Sequence, residues 1–181
     1  MIKKVCVFCS SSDLVDITYH QAAALLGTLL AKQGFDLVFG GGATGLMGAT
    51  SKAAIENGGS VYGFMPEFLR ALEGTELDAN HLEIVDTMHT RKQKMYDHAD
   101  AFIVLPGGFG TLDELFETLG WRQLELHLKP IVVVNTLSYW DPLKKLFECV
   151  IDNNFALPKH RQYLTFVDTP EQAIESLQDV S

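Results

Sequence analysis

Short apolar runs with no polar face decide what this chain can fold into. Residues 101–105, Ala-Phe-Ile-Val-Leu, lie between Asp100 and Pro106 without a single hydrophilic position. Such a run is a strand covered on both sides, as in a parallel sheet packed between helices. Behind it, Leu112, Leu115, Phe116, Leu119 and Leu124 recur at helical spacing. The same strand-then-helix unit repeats along the chain. Strands are expected at 2–8, 36–39, 60–64, 83–85, 101–105, 131–134 and 163–167. Helices are expected at 21–32, 46–56, 89–98, from 111 onward, and at 142–153 and 170–178, with 65–80 as a long mixed loop. This alternation predicts an α/β fold, a doubly wound Rossmann-like parallel sheet with helices on both faces. No repeat, low-complexity tract or linker interrupts it, so residues 1–181 are expected to form a single nucleotide-binding domain.

In such sheets ligands lie beyond the carboxyl ends of the strands. Three turns meet at that edge: 10–12 (Ser-Ser-Ser), 40–45 (Gly-Gly-Gly-Ala-Thr-Gly) and 106–111 (Pro-Gly-Gly-Phe-Gly-Thr). Candidate ligand contacts are therefore Ser11, Gly41, Gly42, Thr44, Gly107, Gly108, Gly110 and Thr111. Glycines let a ligand approach the backbone, and the free N–H groups of a helix start favour an anion such as phosphate. Two alternatives remain open. Thr111-x-x-Glu114 before an apolar run is also a capping box, with Glu114 folding back on Thr111. Residues 40–45 match Gly-x-Gly-x-x-Gly, and Glu67 stands near the distance of a ribose-binding acid, as in a dinucleotide site. That match follows the second strand, however, and Pro66 precedes the acid. A Walker loop is excluded because Gly45 is followed by Leu46 rather than Lys-Ser/Thr.

Residues 88–92, Met-His-Thr-Arg-Lys, open the fourth predicted helix. Met88, Met95 and Ala99 share a stripe flanked by Arg91 and Lys92. The two cations either snorkel to solvent or reach the pocket mouth, where Arg91 would grip an anion with its fork.

A formal charge of −9 argues against a general nucleic-acid binder but not against a small anionic ligand in a locally positive pocket. No apolar stretch reaches transmembrane length, and the apolar run near the N-terminus is too short for a signal-peptide core. The expectation is a cytoplasmic protein without membrane association. Cys6 and Cys9 are spaced to point to opposite faces of a strand, which suits core thiols rather than a redox pair. The six histidines lack ligand spacing, so no metal is expected, and nothing marks a lysine that would carry a cofactor. No cofactor is expected.

Pro-Gly-Gly-x-Gly-Thr-x-x-Glu at 106–114 resembles the signature of the LONELY GUY family, cytokinin riboside 5′-monophosphate phosphoribohydrolases often mislabelled as lysine decarboxylases. Met-His-x-Arg-Lys at 88–92 is similar to that family's second motif. Residues 40–42 with 45–48, and 121–124 running to Lys129-Pro130, extend the likeness over most of the chain. One departure is Ser10, where the family usually has glycine. The resemblance implies Arg91 and Glu114 as the catalytic pair, with Met88 and Lys92 beside the substrate. It further implies hydrolysis of the N-glycosidic bond of purine riboside 5′-monophosphates, of cytokinin type or plain AMP, to free base and ribose 5-phosphate. The family's homodimer uses the helix after the Pro-Gly-Gly motif, where Trp121 would sit. The competing reading is a non-catalytic nucleotide or cofactor carrier of the same fold.

Overall fold

The computed structural model describes residues 2–73 and 80–178. The elements run β1 (Lys4–Phe8), α1 (Ile17–Lys32), β2 (Asp36–Phe39), α2 (Gly45–Glu56), β3 (Val61–Pro66), α3 (Glu67–Glu73) and β4 (His81–Val85). They continue with α4 (Met88–His98), β5 (Ala101–Val104), α5 (Phe109–Gln123), β6 (Ile131–Val134), α6 (Asp141–Asp152), β7 (Thr165–Val167) and α7 (Pro170–Gln178). All strand pairs are parallel, in the order β4-β3-β2-β1-β5-β6-β7. The chain builds outward from β1 to β4, then returns to the other side of β1 with Val5 opposite Ala101 and Phe8 opposite Val104. Helices cannot cover both flanks of this reversal in the same way, so a crevice opens above the carboxyl ends of β1 and β5.

Alternation along β1 feeds two cores. Val5, Val7 and Cys9 pack with Leu26 and Leu30 of α1, Leu46 of α2 and Ile174 of α7. Cys6 and Phe8 pack on the opposite face with Met95 of α4, Leu115 of α5, Leu143 of α6 and its N-cap Trp140. The doubly wound sheet with helices on both faces is thus present as the apolar runs predict. Each fully buried leucine such as Leu26 or Leu30 contributes about 2 kcal/mol from apolar burial.

Three boundaries differ from the sequence reading. Helix α1 starts at Ile17 rather than 21, because Asp16 caps it by accepting a hydrogen bond from the Thr18 N–H at 2.8 Å. The stretch expected as a loop over 65–80 instead extends β3 through Pro66 and forms α3, while 74–79 lie outside the described residues. Two turns are too short to show a helical period. The last strand is only Thr165–Val167, since Tyr163 ends a 3-10 turn begun by Pro158.

Candidate active site

Two glycine-rich helix starts face the crevice, and they differ in one decisive respect. At α5, Gly108 is the N-cap and supplies no side chain. The first donor returned to the backbone is the Leu112 N–H, to the Gly108 carbonyl at 3.0 Å. The N–H groups of Phe109, Gly110 and Thr111 have no partner among the described residues. A Cβ on Gly108 or Gly110 would meet nothing within 4 Å, so this start is open to a ligand. At α2, by contrast, the Gly45 N–H donates to Asp13 Oδ1 at 2.8 Å, and Leu46 and Met47 donate to the Ser10 carbonyl at 2.9 and 3.2 Å. That start is closed by its own chain. An anion has one available helix terminus here, that of α5.

The capping-box reading of Thr111 and Glu114 is therefore corrected. The helix begins at Phe109, so Thr111 lies inside its first turn, and both side chains are buried rather than folded over the helix end. Gly107 is also reassigned. It is buried, and a Cβ there would lie 2.1 Å from Thr111 Oγ1, so it serves packing behind the open turn. Gly41, Gly42 and Thr44 stand outside the cavity wall as well. Gly41 makes the turn after β2 with φ +80°, and the Thr44 hydroxyl donates to the Ser11 carbonyl at 2.9 Å. The dinucleotide alternative loses its acid, since Glu67 lies in solvent 4.0 Å from Arg70.

The cavity at the crevice has a volume of about 360 Å³ and brings together Ser11, Gly108, Gly110, Thr111, Arg91 and Glu114. It also recruits Ser10, Ser12 and Phe109 from the turns expected at this edge, and Cys9, Met47 and Leu69, which the sequence reading does not nominate. Leu69 was hidden because α3 was unreadable. Burial pushes the Cys9 thiol up, so it stays protonated.

Arg91 comes from the first turn of α4, which Thr87 caps by accepting from the Thr90 N–H at 3.1 Å. Its guanidinium crosses the end of β2 over Gly40. A Cβ on Gly40 would fall 1.7 Å from Nη2, so any other residue there would push the guanidinium from this position. Nη1 contacts Met88 Sδ at 3.9 Å, and Nε is buried without a hydrogen-bond partner. Nη2 stands 3.7 Å from Glu114 Oε1, an ion pair too long for a hydrogen bond. The Glu114 carboxylate accepts no hydrogen bond among the described residues. Burial pushes its carboxyl up to about 7, against the opposing pull of Arg91. A guanidinium with an idle donor and a carboxylate with idle acceptors thus share one pocket.

Lys92 does not join them. Its ammonium is held by Asp113 at 3.0 Å and Glu117 at 3.1 Å on α5. Burial alone would lower its pKa, but the hydrogen bonds to these carboxylates raise it. Lys92 therefore ties α4 to α5 instead of touching a ligand, and Met88 reaches the site only through Arg91.

A protein family described as "Possible lysine decarboxylase" matches residues 47–177. Cytokinin riboside 5′-monophosphate phosphoribohydrolase LOG1 of Arabidopsis thaliana is 38% identical over 177 residues, covering 98% of this chain and 83% of that protein. Cytokinin riboside 5′-monophosphate phosphoribohydrolase LOG3 of the same plant is 37% identical over 177 residues, covering 98% and 82%. Among solved structures, the molybdenum cofactor binding protein from the phototrophic bacterium Rippkaea orientalis matches with a TM-score of 0.75 at 20% identity, over 99% of this chain and 98% of that one. At that identity the likeness is one of fold. No lysine lines the cavity, so the decarboxylase description finds no amine there to bind a carbonyl cofactor.

Proposed function

The chain belongs to the LONELY GUY family of cytokinin riboside 5′-monophosphate phosphoribohydrolases, and from that membership and the pocket's geometry we propose how it hydrolyses its nucleotide. The bond cut is the N-glycosidic bond of a purine riboside 5′-monophosphate, which gives free base and ribose 5-phosphate. The observation that carries this reading is the buried Arg91–Glu114 pair beside the open helix start of α5.

The 5′-phosphate binds the N–H groups of Phe109, Gly110 and Thr111, where the helix dipole adds to the attraction. This anchors the ribose over Glu114 and Arg91, with Met47 and Leu69 beside the base. The C1′–N bond breaks with its electron pair leaving on the base, and positive charge develops on the ribose ring. The Glu114 carboxylate faces that charge and takes a proton from the attacking water, whose oxygen bonds to C1′. The departing base takes up a proton, so the elements of water are divided between the two products. Positioned base catalysis of this kind contributes roughly 10²–10⁴-fold. The idle donors of Arg91 hold the sugar or attacking water in line. Plain AMP is a substrate alongside prenylated forms in this reading.

A carrier needs no buried carboxylate with idle acceptors, since that group weakens anion binding. The test is chromatographic detection of free base after mixing the pure protein with AMP and with isopentenyladenosine monophosphate. Release by wild type and not by folded Glu114→Gln is the expected result. Binding without release by either protein would leave the carrier reading. A homodimer is part of the proposal, supported by exposed Leu124, Leu126 and Leu128 after α5 and Phe116 on it. Sedimentation equilibrium checks it, and a monomer at micromolar concentration would refute it.

A further inference from the structure

The open turn at α5 is held in place from behind. The Tyr139 hydroxyl donates a hydrogen bond of 2.7 Å to the Gly107 carbonyl. No peptide bond in the described chain is cis, so the N–H of the same peptide unit, that of Gly108, points the opposite way. Gly107 lines a smaller apolar cavity of about 180 Å³, shared with Tyr19, Leu46 and Tyr139, and not the larger one. Gly108 lines both that cavity and the larger one holding Arg91 and Glu114. The carbonyl side of this peptide is therefore the Tyr139 side, and the N–H side is the ligand side.

Tyr139 is itself fixed at a conformational cost. Leu137 and Ser138, immediately before it, both adopt left-handed backbone, at φ 54° and 59°. Two consecutive non-glycine residues in that region persist only when their surroundings impose it. Here Asn135 Oδ1 accepts from the Trp140 N–H at 2.6 Å, and Asn135 Nδ2 donates to Asp141 at 2.8 Å. The Tyr139 ring stands edge-on to Trp140 at 4.8 Å and to Tyr19 at 5.9 Å. A strained turn after β6 thus delivers one hydroxyl to one carbonyl of the anion turn.

We propose that Tyr139 is a positioning residue for the substrate's phosphate: by holding the Gly107 carbonyl it aims the Gly108 N–H, and the open helix start behind it, into the catalytic cavity. This rests on the phosphate placement given above. Glycines on both sides leave that peptide free to rotate, so the hydroxyl supplies an order that the turn lacks on its own.

Tyr139→Phe keeps the ring and its packing and removes only the donor. The expected result is a KM for AMP raised about tenfold with kcat changed less than twofold. Hydrolysis of adenosine, which has no phosphate, should keep its kcat/KM, and the thermal midpoint should stay within about 3 °C. Calorimetric binding of AMP to Glu114→Gln and to the Tyr139→Phe/Glu114→Gln double variant gives a readout independent of turnover. Weaker binding by the double variant is expected there even if wild type releases no base, which separates this inference from the hydrolase reading. Equal AMP affinity with and without the hydroxyl would overturn it. So would equal losses on AMP and adenosine, which would mark a general structural role.

Discussion

Replacing Glu114 with glutamine should stabilise the ligand-free protein, and do so increasingly as pH rises. In the folded protein the carboxyl titrates near 7 because it is buried, whereas its ordinary value is 4.5. An acid whose folded pKa is raised binds its proton more tightly in the native state. Between these two values the native state holds more protons than the unfolded chain, so stability falls as pH climbs from about 4.5 to 7. The full shift corresponds to about 3 kcal/mol lost by pH 8, of which about 1 kcal/mol is already lost at pH 5. Glutamine has no such proton to lose. Its advantage over wild type should therefore grow by about 2 kcal/mol between pH 5 and pH 8. Comparing the two pH values cancels whatever the substitution does to packing or to Arg91 independently of pH. Urea unfolding of both proteins at each pH, with equal slopes as the check on two-state behaviour, measures the difference. A pH-independent gap between the curves would refute the reasoning, because Glu114 would then titrate alike in both states.

The same carboxyl sets an acid limb on catalysis: kcat/KM should fall tenfold per unit below a midpoint near 7. A midpoint near 6 would instead report the phosphate monoester of the substrate, whose second pKa is about 6. Gly40→Ala puts a Cβ 1.7 Å from Arg91 Nη2 and should cut kcat about 100-fold, at a stability cost of about 1–3 kcal/mol. Full activity in that variant, measured by base release, would show that the guanidinium need not lie where it does. Lys92→Met removes the ties to Asp113 and Glu117 and should cost about 1–2 kcal/mol, read by urea unfolding. Because Lys92 lowers the Glu114 pKa, the acid limb should also move to higher pH. An unmoved limb would mean that the ammonium acts on structure alone.

The parts of this molecule that could be read from the sequence are those fixed by local pattern. Five apolar residues at 101–105 read as a covered strand, and β5 does sit inside the sheet between β1 and β6. Arg91 and Glu114 were nominated by resemblance rather than by spacing, and their separation of 23 positions gives no local hint that they meet at 3.7 Å. What stayed hidden depends on contacts between distant segments. Thr111 and Glu114 have the spacing of a capping box, yet the N-cap is Gly108, three residues before Thr111. Gly40–Gly45 and Pro106–Thr111 are both glycine-rich, and the placement of Asp13 and of the Ser10 carbonyl separates a closed helix start from an open one. Lys92 stands in the motif beside Arg91, but the next position on a helix turns about 100° away. That rotation takes its ammonium to the carboxylates of α5.

The open start of α5 becomes more telling against the starts of α1, α2 and α4. Asp16 caps α1, Thr87 caps α4, and Asp13 reaches across to the first N–H of α2. A capping residue at position 108 would add about 1 kcal/mol by satisfying an orphan donor. Gly108 stands there instead, followed by Gly110, in a turn that a strained segment must hold from behind. Beside that start the Glu114 carboxyl is buried with its pKa pushed up to about 7, and Arg91 Nε has no acceptor. Each of these features lowers stability, and each is answered by one kind of molecule. An anionic group supplies the missing cap, and a sugar or water meets the idle donor and acceptors. A nucleotide monophosphate carries both parts, so the defects of the free protein outline its ligand.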